Sequence, residues 1–204
     1  MRHIPEKNIA EDLLLSFTAA CSADPDTAYD RSAWLYVPPF YTDYRYVLGT
    51  AGEKPLICVG LNPSTAAPGA LDNTLKSVQR VAGFNGYDSF LMMNLYAQRA
   101  TRPMDMDREA CAFLHRENLR AFEFLLRKTK VVWAAWGAVM ETRGYLPECM
   151  KDFVKAGQRL GAQWVTAGQK SRKGHPHHPL YLRRDSAFEA FDVEGYLYNL
   201  SSSI

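Results

Sequence analysis

Two polar loops, separated by most of the chain, hold the side chains best suited to chemistry. Residues 60–65 read Gly-Leu-Asn-Pro-Ser-Thr and combine the Asn62 amide with two hydroxyls. Residues 174–181 read Gly-His-Pro-His-His-Pro-Leu-Tyr and are rich in histidine. An amide can orient a water molecule, and an imidazole can donate a hydrogen bond to a departing group. We expect these two loops to fold together into one site.

The residues before the first loop show how it is positioned. Residues 55–59 (Pro-Leu-Ile-Cys-Val) are apolar throughout, which is typical of a strand covered by helices on both faces. Gly60 lets the backbone approach a ligand closely, and Pro63 stiffens the turn. Open α/β sheets bind ligands at the carboxyl ends of their strands. The sequence therefore places the first loop at a ligand-binding edge.

Apolar runs alternate with amphipathic stretches along the rest of the chain. The predicted core strands are residues 55–60, 89–95, 130–136 and 163–167, and the predicted helices between them are residues 72–82, 107–128 and 138–160. This alternation predicts an α/β fold, a three-layer α/β/α sandwich with a central, mainly parallel four-stranded sheet.

The N-terminal residues 1–50 are predicted to form an extension packed on this core. Residues 8–21 have the apolar spacing of a helix, and residues 33–48 favour two β segments around a Pro-Pro turn. The sequence contains no repeats or linkers, so residues 1–204 are expected to form a single domain.

The amino-acid composition and the net charge exclude few classes of function. The net charge is +2, so any nucleic-acid surface must come from local clustering of cations. The four cysteines have no paired spacing, and we expect neither a metal site nor a disulfide framework. We expect no signal peptide, and the sequence has no apolar stretch near the ~20 residues that span a bilayer. A cytoplasmic monomer without a membrane partner or a cofactor is expected.

Four short motifs, in this order, resemble those of the uracil-DNA glycosylase superfamily. Residues 60–64 are similar to the Gly-Ile-Asn-Pro-Gly of its mismatch-specific branch. Residues 91–94 (Leu-Met-Met-Asn) are similar to the strand that ends in a base-reading asparagine, and residues 131–137 to a strand that ends in Trp-Gly. Residues 178–180 (His-Pro-Leu), or less closely residues 175–176, are similar to its His-Pro turn. The chain also resembles an uncharacterised bacterial and phage family with a Gly-Leu-Asn-Pro-Ser-Thr-Ala motif.

This resemblance implies a uracil-DNA glycosylase-like fold and a DNA glycosylase, which hydrolyses the bond between a flipped-out base and deoxyribose. Asn62 would position water, and His178 would stabilise the leaving base. Asn94 would read the base, with Gly60 and Leu61 beside it. Double- or single-stranded DNA is the implied partner, and the residues expected to contact it or its phosphates are Ser64, Thr65, Lys173, His175, Leu180, Tyr181 and Arg183.

Asn62 stands where the resembled family has aspartate, which implies a slower, mismatch-type mechanism. The hydroxyl-containing loop and the aromatic N-terminal segment also depart from the pattern for uracil. A modified pyrimidine, such as those in phage DNA, is therefore the expected target, and a role in antiviral defence would follow.

Several alternatives remain open from the sequence. A hydrolase or transferase of free nucleosides or nucleotides would need neither a basic rim nor an apolar wedge, and a catalytically silent nucleic-acid binder would need no Asn62 chemistry. Asn94 is equally suited to bonding the end of its own strand. The histidine run has some features of a metal site. Asp72 is either an acid/base group or a helix cap.

Overall fold

The computed structural model describes residues 2–5 and 8–201. Seven strands in these ranges form one mixed β-sheet. The strands are β1 (Trp34–Val37), β2 (Val47–Thr50), β3 (Pro55–Gly60), β4 (Ser89–Asn94), β5 (Val131–Ala134), β6 (Gln163–Ala167) and β7 (Phe188–Ala190). The helices are α1 (Phe17–Ser22), α2 (Asn73–Phe84), α3 (Ala112–Leu126), α4 (Leu146–Leu160) and α5 (Val193–Ser201). Within these ranges, no helix combines the length and apolar character that crossing a membrane requires.

The sheet order is β1-β2-β4-β3-β5-β6-β7. β4, β3, β5 and β6 are mutually parallel; β2 and β7 pair antiparallel with the outer two of these strands, and β1 pairs antiparallel with β2. The α/β class is confirmed, but the prediction of a four-stranded sheet is wrong because it describes only the centre of a seven-stranded one. β1 and β2, which were predicted to lie in an extension packed on the core, are part of the sheet itself. β7 was not predicted, because a strand of three residues is too short to show a period-two pattern.

The sheet is covered on both faces. Along β3, Ile57 and Val59 belong to a core cluster with α1, α3, α4 and α5. Leu56 and Cys58, which alternate with them, belong to the opposite cluster with α2. Since successive side chains of a strand point to opposite faces, this division places the central strands between two helical layers.

The prediction of a helix over residues 8–21 is wrong in its first half. A 3-10 turn occupies Glu11–Leu13, and α1 begins only after its N-cap Ser16. On either side of this turn a backbone N–H bonds a distant side chain: Ile9 donates to Asp107 Oδ2 at 2.8 Å, and Leu15 donates to Tyr44 Oη at 3.0 Å. These contacts to the core replace the i−4 bonds of a helix. The helix predicted over residues 138–160 likewise starts later, at Leu146.

The topology creates a binding edge. The chain passes from β3 to β4 on one side of β3 and then crosses over to β5 on the other side of β3. The order of the strands therefore reverses at β3. The four parallel strands end at the same edge. This is the switch point at which open α/β sheets bind ligands.

Candidate functional site

A cavity of about 880 Å³ opens at the carboxyl edge of the parallel strands, and we call it the strand-end cavity. Its wall is formed by the residues that follow β3, β4, β5 and β6 and by the start of α2. All of the predicted site residues line it except Lys173 and Arg183. Those that do are Gly60, Leu61, Asn62, Ser64, Thr65, Asn94, His175, His178, Leu180 and Tyr181.

Asn62 is held in one orientation. Its Nδ2 donates to Pro63 O at 3.0 Å and to Ala100 O at 2.8 Å. Both partners are carbonyl oxygens, so the amide nitrogen must face them. The side-chain oxygen Oδ1 is thereby left to accept a hydrogen bond from water or from a ligand in the strand-end cavity.

Asn94, at the end of β4, is 1% exposed, and neither its Nδ2 nor its Oδ1 has a partner among the described residues. It does not bond the end of its own strand, because Asn118 Nδ2 takes that role by donating to Asn94 O at 2.8 Å. A Cβ at Gly60 would lie 2.7 Å from Asn94 Oδ1, so glycine is required for the amide to fit there. Buried polar atoms without partners are costly, and their position in a cavity wall is typical of ligand binding.

His178 lines the cavity and has one ring nitrogen, Nε2, without a partner among the hydrogen bonds of the described residues. Its Nδ1 accepts the Leu180 backbone N–H at 3.3 Å, so in the neutral ring the proton is on Nε2. Burial lowers the pKa of His178 below 6.5, opposed by Asp72, and His177 lowers it further. The ring packs on Gly137, where a Cβ would lie 3.0 Å from His178 Cβ. His178 is therefore a neutral donor at pH 7.

His175 is buried, and α5 fixes its ring. His175 Nδ1 lies 2.9 Å from Tyr196 Oη, which accepts a hydrogen bond from Trp136 Nε1 at 3.2 Å. Indole nitrogen can only donate, so the Tyr196 hydroxyl hydrogen is available to His175 Nδ1 when that nitrogen carries no proton. Burial lowers the pKa of His175 as well. Sequence reasoning placed His175 in the site but gave no sign of Tyr196, since α5 was not predicted.

The rim combines exposed apolar residues with paired charges. Leu180 and Tyr181 are 41% and 75% exposed, on a 3-10 turn anchored by a 2.6 Å bond from Ser77 Oγ to Pro179 O. Lys173 lies outside the cavity wall and pairs with Glu141 at 2.6 Å. Arg183 pairs with Asp185 at 3.2 Å. Exposed pairs of this kind are weak, so both cations can exchange their partners for phosphates.

Arg45 and Asp72 are charged residues of the wall that were not assigned to the site from sequence. Arg45 is buried beside the loop after β3. The only hint of it is a cation inside an aromatic segment, residues 44–46 (Tyr-Arg-Tyr). Asp72 is the N-cap of α2 and accepts the Leu75 N–H at 2.9 Å. It is also the one carboxylate among the described residues that line the cavity.

The histidines do not form part of a metal-binding set in the described part of the chain, where no three His, Cys, Asp or Glu side chains cluster as metal ligands would. The alternative of a metal site at residues 175–178 therefore has no ligand set there. The polar groups of the cavity are instead four amides, three imidazoles, several hydroxyls, two cations and one carboxylate.

The fold and the cavity together define an α/β protein with a large cavity at the carboxyl ends of four parallel strands. The chain belongs to the family described as "Protein of unknown function (DUF1643)", whose model matches residues 45–180. Searches of curated proteins and of solved structures gave no match. The matched range runs from Arg45 to Leu180 and so includes nearly the whole cavity wall.

Proposed function

We propose that this protein is a DNA glycosylase that hydrolyses the N-glycosidic bond of a flipped-out, modified pyrimidine and leaves an abasic site. The observation that carries this proposal is the buried Asn94 amide, whose donor and acceptor both lack partners at the wall of the strand-end cavity. A pyrimidine edge offers a matching acceptor and donor.

The reaction separates charge, and the cavity has groups for each part. As the bond from C1′ to the base nitrogen breaks, its electron pair leaves with the base and positive charge builds on the sugar. His178 donates its Nε2–H to the base oxygen, an interaction worth about 3–4 kcal/mol in comparable oxyanion sites. Asn62 Oδ1 orients the water that bonds to C1′.

The water must lose a proton, and Asn62 cannot take it because an amide has no accessible pKa. Asp72 lines the same cavity and is available as the acceptor. Its carboxylate also opposes the positive charge that develops on the sugar. We therefore assign to Asp72 the role that an aspartate at position 62 would otherwise have.

The size of the cavity supports a substituted base. Pockets for small molecules have volumes of about 300–1,000 Å³, and the strand-end cavity lies in the upper part of that range. A bare pyrimidine would leave much of it empty. Excision of a bulky modified base from phage DNA would inactivate that DNA, which is the basis for an antiviral role.

The rim supports DNA, rather than a free nucleoside, as the substrate. Proteins that distort a duplex often insert apolar side chains between base steps. Leu180 and Tyr181 are exposed apolar side chains on an anchored turn beside the cavity. In this proposal they fill the gap that a flipped base leaves.

A panel of DNAs tests the proposal. Uracil-containing, mismatched, hydroxymethylated and glucosylated DNAs are incubated with the protein, and alkali-labile nicks are scored. We expect nicking of a modified DNA by the wild type and by Gln158→Ala, which removes an exposed amide on α4, but not by Asn62→Ala. Turnover of free nucleosides without nicking would overturn the proposal, as would DNA binding without nicking.

A further inference from the structure

Arg45 and Arg99 are two buried cations behind the loop that follows β3. Their side chains are 1% and 0% exposed. Their hydrogen bonds go to uncharged groups: Arg45 Nη1 donates to Ala66 O at 3.1 Å, and Arg99 Nη2 donates to Tyr36 Oη at 3.0 Å. The Nε atoms of both have no partner among the described residues.

Both groups keep their charge at neutral pH. Burial, then the nearby Arg99, lower the pKa of Arg45 to about 9, while Asp72 raises it. Two like charges close together, without a bonded carboxylate, are unfavourable in a protein interior. Asp72 faces both arginines, but its hydrogen bond goes to the start of α2. An anion bound in the strand-end cavity would offset the remaining charge.

The arginines also orient the loop. Arg99 Nη1 donates to Ser64 O and, at 3.2 Å, to Ala66 O, so these carbonyls point toward the guanidinium groups. The Ser64–Thr65 peptide bond is trans, so the Thr65 N–H points the opposite way to Ser64 O. Thr65 lines the cavity, and no acceptor for its N–H is present in the described residues.

We propose that Arg45 and Arg99 build a phosphate-binding site at residues 64–66, on the wall of the strand-end cavity. Thr65 N–H and the hydroxyls of Ser64 and Thr65 contact the phosphate. Arg45, which lines the cavity, supplies charge, and Arg99 acts as a positioning residue behind the loop. This inference rests on the proposed function for the identity of the phosphate, which is that of the target nucleotide, either a diester in DNA or a monoester on a free nucleotide.

Phosphate binding can be measured without catalysis. The thermal midpoint and calorimetric affinity of the protein are determined with inorganic phosphate, deoxycytidine monophosphate and deoxycytidine, in a chloride buffer. We expect the two phosphate-containing probes to bind and to raise the midpoint more than deoxycytidine does. Thr65→Val keeps the side-chain shape and removes one donor, and it should weaken phosphate binding about tenfold or more.

Arg45→Met tests the charge, with Lys76→Met as a control that removes an exposed cation of α2. We expect Arg45→Met to lose phosphate binding and Lys76→Met to keep it. If Arg45→Met fails to fold, Thr65→Val alone decides. Equal phosphate affinity in wild type and Thr65→Val, or no phosphate binding by the wild type, would overturn the proposal.

A competition experiment identifies the source of the phosphate. If it belongs to DNA, Thr65→Val weakens binding of an oligonucleotide and the monophosphate competes poorly. If it belongs to a free nucleotide, the monophosphate binds and the oligonucleotide does not; either result supports the phosphate site. Asn62→Ala should still bind phosphate while losing base excision. The phosphate site can therefore be refuted without refuting the glycosylase proposal, and the reverse also holds.

Discussion

Asn62, Asn94 and His178 differ in how their neighbours constrain them. Asn62 is fixed by two carbonyls that leave only Oδ1 free, and His178 is fixed by one backbone N–H that leaves only Nε2. Asn94 is buried with both polar atoms free. The first two therefore have one role each, acceptor and donor, while Asn94 can make both kinds of bond to one ligand.

Asn94→Ala should separate function from stability. Removing a buried amide that has no partner should leave the free energy of unfolding within about 1 kcal/mol of wild type, or raise it. Base excision should fall about 100-fold or more. Asn118→Ala is the matched control, since that amide bonds Asn94 O and Leu95 O and its loss should destabilise by about 1–3 kcal/mol. Urea unfolding measures the stability of each variant, and an excision assay measures its rate. A large loss of stability in Asn94→Ala would contradict the assignment of Asn94 as a ligand-binding residue.

The pH profile should reflect a neutral His178. The pKa of this imidazole is lowered from 6.5 by burial, so the neutral donor predominates at pH 7 and persists below pH 6.5. Protonation would remove the Nδ1 acceptor for Leu180 N–H. The excision rate should be flat from neutral to mildly alkaline pH and should fall in acid. An increase in rate on acidification would show that the imidazolium is the active form.

At the scale of elements, the strands bring distant loops together. β3 and β6 were predicted over residues 55–60 and 163–167, which are their bounds in the structure, because apolar runs ended by glycine are a strong signal. The carboxyl-edge rule then placed Asn62, Asn94 and the histidine loop side by side. The apolar runs and the order of the polar loops along the chain were enough to predict that these three parts of the cavity wall lie close together.

The rest of the site depends on contacts that no local pattern encodes. Arg45 enters the cavity wall because β2 pairs antiparallel with β4, a long-range register that the sequence does not reveal. Tyr196 reaches His175 from α5, a short C-terminal helix that follows a three-residue strand. Asp72 was visible as a helix cap, but its position in the cavity follows only from the packing of α2.

Asp72→Asn tests the charge at the start of α2 without removing the cap. Asparagine caps helices about as well as aspartate, but it carries no charge to oppose the buried Arg45 and Arg99, so the free energy of unfolding should fall. The excision rate should fall about 100-fold if the carboxylate takes the proton from water. An unchanged rate, with unchanged stability, would limit Asp72 to its capping role.

At the scale of the whole molecule, the N-terminal segment contacts a residue of the cavity wall. His3 O accepts the Thr101 N–H at 2.8 Å, and His3 N donates to Thr101 Oγ1 at 2.7 Å. Thr101 in turn lies within 3.4 Å of Ser64 Oγ and lines the cavity. The two ends of the described chain thus meet the site, His3 on one side and Tyr196 on the other.

The stability of the whole protein should fall on mild acidification. Burial lowers the pKa of His3, His175 and His178 below the 6.5 expected for the unfolded chain. At a pH between the lowered pKa of the folded state and 6.5, the unfolded state binds more protons than the folded state. The free energy of unfolding therefore decreases as the pH falls through 6.5. Urea unfolding at pH 7.5 and at about pH 5.5 should show this loss, with a smaller slope in His178→Gln. A constant or rising stability toward acid would contradict it.

The most direct test of the central claim is the identity of the released product. Modified phage DNA is incubated with the protein, and the small molecules released are analysed by mass spectrometry. We predict a free modified pyrimidine base, with an equal number of abasic sites in the DNA and no release by Asn62→Ala. Release of nucleosides or nucleotides, or no release from any modified DNA, would contradict a glycosylase.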